Sequence, residues 1–114
     1  MQAVQNSVEK RTIIKSTELV EKWNKDSLGC LKIRTNKLAQ KIILDNNLDN
    51  KNKTDFYLIF GKPNEIKKEG EVDVFVYFFD CQCENYILLD KSDKCYANFY
   101  FENNIFVSAD YLCE

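Results

Sequence analysis

The sequence predicts a single α+β domain in which two to three N-terminal helices pack on one face of a three- to four-stranded antiparallel β-meander. Three observations lead to this fold class. Residues 16–61 combine helix-capping residues with apolar residues at helical spacing. The residues after Gly70 are rich in β-branched and aromatic side chains and are interrupted by turn residues. Helices that precede a run of strands are typical of a two-layer α+β arrangement.

The length of 114 residues fits one domain that can bury its own core. Residues 1–15 show neither caps nor apolar periodicity, so we expect a flexible N-terminus followed by a folded domain over residues 16–114. The first helix is predicted over "ELVEKWNK" (18–25), where Leu19, Val20 and Trp23 share a face and Ser16 or Thr17 can serve as the N-cap.

Two more helices follow in the sequence. Thr35 is the predicted N-cap of "NKLAQKIILDNN" (36–47), whose apolar residues recur at i, i+1, i+4 and i+5 with lysines opposite. A polar loop then leads to a short third helix, "FYLIF" (56–60), with Thr54 or Asp55 as its N-cap. Gly61 closes this helix and Pro63 prevents its continuation.

Three strands are predicted after Gly70. They are "EVDVFVYFFDCQC" (71–83), "CYANFYFE" (95–102) and "IFVSADYLC" (105–113). Asn103 and Asn104 suit a tight two-residue hairpin because asparagine tolerates positive φ. Residues 84–94 are interpreted as a connection that contributes a short strand, and "KPNEIKKE" (62–69) as a solvated loop.

Four of the five cysteines fall at one end of the predicted meander, and three states of these cysteines remain open. The four, Cys81, Cys83, Cys95 and Cys113, can form two disulfides, stay wholly or partly as thiols, or bind zinc as a four-cysteine site. We predict two bonds, each linking Cys81 or Cys83 to Cys95 or Cys113. Cys30 is then expected to be reduced and at least partly buried.

The tyrosines of the predicted strands are candidates for partner binding. With the turn at 103–104, the predicted pairs are Phe101 with Phe106, Tyr100 with Val107 and Phe99 with Ser108. Alternation then places Phe99, Phe101, Phe106 and Leu112 on one face, and Tyr96, Tyr100, Val107 and Tyr111 on the other. Helices cover one face only, so we expect the tyrosine face to stay at least partly exposed. Tyr77, Tyr96, Tyr100 and Tyr111 are the resulting candidates, against the alternative of an ordinary solvated sheet face.

Composition excludes several classes of function. The sequence has no histidine, which removes Ser-His and Cys-His nucleophile pairs and every histidine-ligated metal site. Three glycines cannot build a glycine-rich phosphate loop, and a net charge of -2 gives no basic stripe for nucleic acid. Asp80, the acidic residue within the first predicted strand, is interpreted as solvent-facing rather than catalytic. We therefore expect neither an enzyme nor a cofactor.

Ser27-Leu28-Gly29-Cys30 has the pattern of a bacterial lipoprotein cleavage site, but no apolar run precedes it. Cys30 is therefore interpreted as a residue packed between two elements. Five cysteines in a short chain favour an oxidising compartment.

The helix from Thr35 to Asn46, the segment from Thr54 through "FGKPNEI" and the aromatic strand "VFVYFF" together resemble the SmpA/OmlA (BamE-like) family and the similar β-lactamase inhibitor protein fold. The turn Gly61-Lys62-Pro63 matches the Gly-x-Pro turn that ends a short helix there. "WNKDSLGCLKIR" (23–34) also resembles a segment of small exported Bacteroidetes lipoproteins, through Trp23, Asp26, Gly29, Cys30 and Arg34.

The resemblance implies an exported, non-enzymatic module that binds another protein or contributes to envelope structure. It would reside in the periplasm or at the outer membrane of a bacterium, with membrane contact only through a lipid anchor lying outside these 114 residues. The alternative is an inhibitor or immunity protein that blocks another protein's active site.

Overall fold

A computed structural model describes residues 18–89 and 93–114. The predicted flexible segment 1–15 and the candidate caps Ser16 and Thr17 lie outside the described residues. Helix α1 covers residues 18–25, and the other helices are α2 (Asn36–Asp45) and α3 (Lys53–Phe60). The strands are β1 (Glu65–Glu69), β2 (Val72–Phe79), β3 (Cys83–Glu84), β4 (Ile87–Leu88), β5 (Cys95–Glu102) and β6 (Ile105–Cys113). The predicted α+β fold class is confirmed.

Strands β1, β2, β5 and β6 form one antiparallel sheet in that order, while β3 and β4 form a small separate hairpin. Strands β5 and β6 have the bounds that the sequence predicts, and Asn103 and Asn104 form the turn between them at φ values of 50° and 69°. Both φ values are positive, as a tight hairpin turn requires. The short strand expected between residues 84 and 94 appears as the second strand of the β3–β4 hairpin.

The N-cap of α2 is the residue that the sequence predicts, whereas the N-cap of α3 is a different residue. Thr35 is the N-cap of α2, where its hydroxyl accepts a hydrogen bond from the Leu38 amide at 3.0 Å. At α3 the N-cap is Asn52, whose side chain accepts from the Asp55 amide at 2.9 Å, so the assignment to Thr54 or Asp55 was wrong. Gly61 ends the helix with a φ of 78°, as predicted.

The main core lies between the helices and one face of the sheet, and Phe56 of α3 is at its centre. Its ring centroid lies 4.9 Å from that of Phe99, 5.2 Å from that of Phe101 and 4.7 Å from that of Phe106. One turn later, Phe60 stacks on Phe56 at 4.8 Å. Two rings four residues apart on a helix point to the same side, so α3 delivers both to the sheet.

Two strand boundaries differ from the prediction. Residues 65–69, expected as part of a solvated loop, form the edge strand β1, whose residues are all exposed. The strand forms because its backbone pairs with β2, since its own sequence shows no alternation of apolar residues. Strand β2 ends at Phe79 rather than at Cys83, because Asp80 adopts a φ of 47° and turns the chain out of the sheet.

A β-bulge in β6 overturns part of the predicted register. Phe101 does pair with Phe106, but beyond it Tyr100 pairs with Ser108 and Phe99 with Ala109, so Val107 is the extra residue. The extra residue reverses which side chains face the helices. Ala109 and Tyr111 therefore pack against the main core, and Leu112 faces the other side of the sheet. The predicted positions of Tyr111 and Leu112 were wrong for this reason.

The face of the sheet away from the helices holds a second, smaller apolar cluster. Val74, Val76 and Phe78 of β2 are buried there together with Cys81. Tyr96 and Tyr100 of β5 are half-buried and pack against this cluster, as predicted for a partly exposed tyrosine face. The long tyrosine rings flank the shorter valines, which limits their contact with water.

The loop at residues 26–34 folds around the buried carboxylate of Asp26. Its two oxygens accept hydrogen bonds from the backbone amides of Leu31 at 2.8 Å, Ile33 at 2.9 Å and Arg34 at 3.0 Å. Each bond fixes an amide that would otherwise need water, so one side chain organises the loop. We call residues 26–34 the Asp26 loop.

Arg34 connects the Asp26 loop to the rest of the domain. Its buried guanidinium donates to the carbonyl of Trp23 at 2.8 Å and to that of Phe78 at 3.0 Å, and to the Asn64 side chain at 3.2 Å. The guanidinium also lies 4.7 Å from the centre of the Trp23 ring. Burial lowers the pKa of Arg34 to about 10, which leaves the group charged at neutral pH.

We expect Arg34→Lys to lower the free energy of unfolding by about 2–4 kcal/mol. A single ammonium cannot reach three acceptors in the fork geometry of a guanidinium, and it leaves buried carbonyls unpaired. Urea denaturation followed by tryptophan fluorescence measures the change. Lys37→Ala is the control, because Lys37 is exposed on α2 and should change stability by less than about 0.5 kcal/mol. An equal loss in both variants would contradict the role given to Arg34.

Candidate functional site: two cross-linked loops

The structure contains two disulfides, the number predicted, but with a different pairing. Cys30 bonds to Cys83, and Cys95 bonds to Cys113. Cys81 is the free cysteine and is buried. The prediction that Cys30 is reduced was therefore wrong, as was the prediction that each bond links Cys81 or Cys83 to Cys95 or Cys113. The two disulfides fit an oxidising, non-cytoplasmic compartment.

The Cys30–Cys83 bond forms because the Asp26 loop lies against the end of β2. The Cys81 amide donates to the Gly29 carbonyl at 2.9 Å, which sets the two chain segments side by side. A Cβ atom on Gly29 would lie 2.9 Å from the Phe79 Cα and 2.9 Å from the Cys81 Sγ, so only glycine permits this approach. Cys30 follows Gly29 directly and is thereby placed within bonding distance of Cys83.

The free thiol of Cys81 is shielded by the same contact. Burial raises the pKa of this thiol, which keeps it protonated and unreactive at neutral pH. A four-cysteine zinc site, one of the alternatives left open by the sequence, would need thiolates that are here joined in disulfides. In the described part of the chain, no group of three or more cysteine, aspartate and glutamate side chains is placed to hold a metal ion.

Cys83 begins the β3–β4 hairpin, which has a strained turn. Asn85 and Tyr86 have φ values of 52° and 63°. Two successive positive φ values fit a tight hairpin turn, but a bulky residue such as tyrosine rarely adopts them. Leu88 packs toward the cluster on the outer face of the sheet, whereas Tyr86 and Ile87 are 71% and 67% exposed. The hairpin thus presents an aromatic ring at its tip.

The Asp26 loop and the hairpin together expose an unusual amount of apolar surface. Residues 27–31 and 83–89, joined by the Cys30–Cys83 bond, are called the cross-linked loops from here on. Five of the eleven exposed large apolar side chains among the described residues belong to them, namely Leu28, Leu31, Tyr86, Ile87 and Leu89. Leu28, Leu31 and Tyr86 line one shallow cavity of about 220 Å³. Contiguous exposed apolar residues on loops mark an interaction site more often than scattered ones do.

Only a weak signal for this site is present in the sequence. The sequence predicts a connection over residues 84–94, yet the run from Tyr86 to Leu89 contains four consecutive large apolar residues. Such a run in a short connection, next to a cysteine, indicates exposed apolar surface that a bond fixes in place. Asp80 is exposed beside this site and forms an ion pair with Lys32 at 2.9 Å, in agreement with its solvent-facing interpretation.

The four candidate tyrosines do not share one surface. Tyr77 is fully buried in the main core and its hydroxyl donates to the Gly61 carbonyl at 2.7 Å, so it offers no contact area. Tyr111 faces the helix side, whereas Tyr96 and Tyr100 remain on the outer face. Only the last two keep the placement expected of a partner-binding face.

Tyr100 and Asn98 form a small polar group with Asp110 on the outer face. The Tyr100 hydroxyl donates to the Asp110 carboxylate at 2.9 Å, and the Asn98 side chain donates to it at 2.9 Å. Burial, followed by the hydrogen bond to Asp110, raises the pKa of Tyr100 to about 12. For Tyr111, burial and the neighbouring Asp110 also raise the pKa to about 12.

We expect the Cys30→Ser, Cys83→Ser double variant to lose about 4 kcal/mol of unfolding free energy. The chain-entropy relation gives this value for a bond that spans 53 residues, and about 3 kcal/mol for the bond that spans 18. The Cys95→Ser, Cys113→Ser variant is the matched comparison, measured by the same denaturation. Non-reducing peptide mapping checks the pairing, and a bridge that contains Cys81 would contradict it.

Stability should fall at high pH in a way that depends on Tyr111. The folded state raises the pKa of Tyr111 from its ordinary value near 10 to about 12. The contribution of Tyr111 to the free energy of unfolding is therefore complete below about pH 10 and is lost as the pH rises through 12. Tyr111→Phe should therefore flatten the decline of unfolding free energy between pH 10 and 12. Tyr86→Phe, at an exposed position, serves as the control. An unchanged slope in Tyr111→Phe would contradict the assignment.

Comparisons with family models, with curated proteins and with solved structures find no match to this chain. Within the described residues, the helices are too short or too polar to cross a bilayer. The cross-linked loops are therefore the candidate site on the strength of their own geometry.

Proposed function

We propose that this chain is an exported, non-enzymatic module that binds another protein through the cross-linked loops. The observation that carries the proposal is the concentration of exposed apolar side chains on two loops that a disulfide fastens together. Exposed apolar side chains are costly in water, and their burial by a partner would supply the driving force for binding.

The rigidity of the loops supports the same function. The Asp26 carboxylate fixes one loop through three backbone amides, and the Cys30–Cys83 bond attaches the second loop to the first. A surface that is ordered before binding loses less conformational entropy when a partner docks. Tyrosine, here exposed at the hairpin tip, is among the residues that contribute most to binding energy at protein interfaces.

The compartment is part of the proposal. The two disulfides support export, and the resemblance to SmpA/OmlA (BamE-like) proteins and to small exported lipoproteins supports the bacterial periplasm or outer membrane, with attachment through a lipid anchor outside these residues. The lack of histidine supports a role other than catalysis, since the common nucleophile–base pairs cannot be formed.

An inhibitor or immunity protein is the alternative, and the β3–β4 hairpin is the observation that favours it. A short hairpin that is anchored by Cys83 at its base and exposes Tyr86 at its tip can insert into a concave site. In that case the partner is an enzyme, and the hairpin occupies its active site.

Site-specific photocrosslinking in cells that produce the protein tests the proposal. We expect p-benzoylphenylalanine at position 86 or 28 to give a discrete adduct with one partner protein, because both positions lie on the cross-linked loops. The control position is Lys67, which is exposed in the middle of the edge strand β1 and lies outside the cross-linked loops. Mass spectrometry of the adduct identifies the partner.

The two functions give different outcomes. Loss of catalytic activity in the adducted partner would identify an inhibitor, whereas an adduct with a non-catalytic envelope protein would identify a binding module. Adducts of equal yield at position 67, or none at positions 86 and 28, would contradict a binding role for these loops.

A further inference from the structure

The two edges of the main sheet differ in how they are protected against pairing with another strand. The edge strand β1 has five residues, four of them charged, and all are exposed. Charged and short edge strands discourage added strands. The other edge strand, β6, has nine residues, of which Asp110 alone is charged. The sequence of β1 thus disfavours strand addition more strongly than that of β6 does.

The beginning of β6 already accepts an antiparallel segment on its outer edge. Asn52 forms an isolated antiparallel bridge with Ile105. The Phe106 amide donates to the Lys51 carbonyl at 2.8 Å, and the Phe106 carbonyl accepts from the Asn50 amide at 3.3 Å. Residues 50–53 thus occupy this edge as far as Phe106.

Beyond Phe106, no described residue pairs with the outer edge of β6. The Glu114 amide donates to the Lys94 carbonyl at 3.1 Å, which directs the backbone groups of Glu114 toward β5. Since these groups alternate along a strand, the amides and carbonyls of Ala109, Tyr111 and Cys113 point outward. Three alternate residues therefore present outward backbone donors and acceptors that no other residue in the described part of the chain pairs with.

A groove lies beside this edge on the helix side. It has a volume of about 400 Å³ and lies between α2 and β6, where Leu44, Ala109 and Tyr111 contribute to its lining. Leu44 is 75% exposed, the largest value among the large apolar residues that the structure describes. In an added strand, every second side chain would point toward this groove. The groove is thus placed to receive apolar side chains from an added strand.

The charges near the edge define the other side chains of the occupant. Asp49 lines the groove, and Asp110 lies on the opposite face of β6, where its hydrogen-bond donors are the uncharged side chains of Asn98 and Tyr100. A second copy of this chain would offer β6 itself, which contains Asp110 and no lysine or arginine. Lysine or arginine on the side of the added strand that faces away from the groove would complement Asp110.

We propose that the outer edge of β6 from Ala109 to Cys113 binds an extended segment of a partner protein by antiparallel strand addition. The segment alternates apolar side chains, which enter the groove beside Leu44, with basic side chains, which lie near Asp110. Backbone hydrogen bonds supply the pairing, and the groove and the carboxylates select the sequence. This site is distinct from the cross-linked loops and does not depend on their proposed function.

The test uses a synthetic nine-residue peptide of alternating lysine and valine as the probe. A matched peptide of the same sequence, N-methylated at alternate residues, keeps the charge and removes the amides that would pair with β6. We expect the first peptide to slow amide hydrogen exchange at Ala109, Tyr111 and Cys113, measured by NMR, and the second to leave exchange unchanged.

Two protein variants test the groove. Leu44→Lys should weaken binding of the probe by about tenfold, because it places a cation where the apolar side chains enter. Leu58→Lys is the matched control, since Leu58 is 73% exposed on α3 and lies outside the groove. Equal binding by both variants would overturn the proposal.

The remaining outcomes also decide the question. Protection of these three amides by concentrating the protein alone, with dimerisation in sedimentation, would replace the partner strand by a second copy and overturn the proposal. Equal binding of the N-methylated peptide would show charge attraction without strand addition. Shifts confined to residues 27–31 and 83–89 would overturn the β6 site and leave the proposed role of the cross-linked loops standing.

Discussion

The buried guanidinium of Arg34 is the interaction on which the rest of the structure depends. It joins the end of α1, through the Trp23 carbonyl, to the end of β2, through the Phe78 carbonyl. The Trp23 carbonyl also accepts from the Asp26 amide at 3.2 Å, but the buried Phe78 carbonyl would lose its side-chain donor without Arg34, at a cost of about 1–3 kcal/mol. The guanidinium also holds the Asp26 loop against the sheet, which places Cys30 opposite Cys83. An internal polar network thus determines the position of an external apolar surface.

Local signals in the sequence predict much of the fold. Thr35 caps a helix whose apolar face is complete within ten residues, and the turn at Asn103 and Asn104 needs nothing beyond its own backbone preference. Elements that depend on a distant partner are harder to predict. Strand β1 carries no apolar alternation, and it is a strand only because β2 provides the backbone groups with which it pairs. The assignment of the α3 cap failed for a smaller reason, because Asn52, Thr54 and Asp55 are all good capping residues within four positions.

The candidate site was less predictable than the fold because long-range contacts create it. The number of disulfides was predicted correctly, but the partner of Cys30 follows from the approach of Gly29 to β2, which no periodicity encodes. Two of the four tyrosines expected on an exposed face are not there. The Tyr77 ring is buried in the main core, and the register shift in β6 turns Tyr111 toward the helices. Five of the exposed large apolar side chains among the described residues instead lie on the cross-linked loops, whose arrangement depends on the Cys30–Cys83 bond.

The bond between Cys95 and Cys113 requires the bulge at Val107. If β6 continued from Phe106 without the extra residue, Leu112 would oppose Cys95, and Cys113 would lie on the opposite face of the sheet. The sulfur atoms can meet only when the bulge is in place. Formation of the Cys95–Cys113 bond thus indicates that β5 and β6 are correctly aligned. Molecules that lack this bond after oxidative refolding are those in which misaligned strands can be sought. A register error that would otherwise be invisible becomes detectable by a thiol assay.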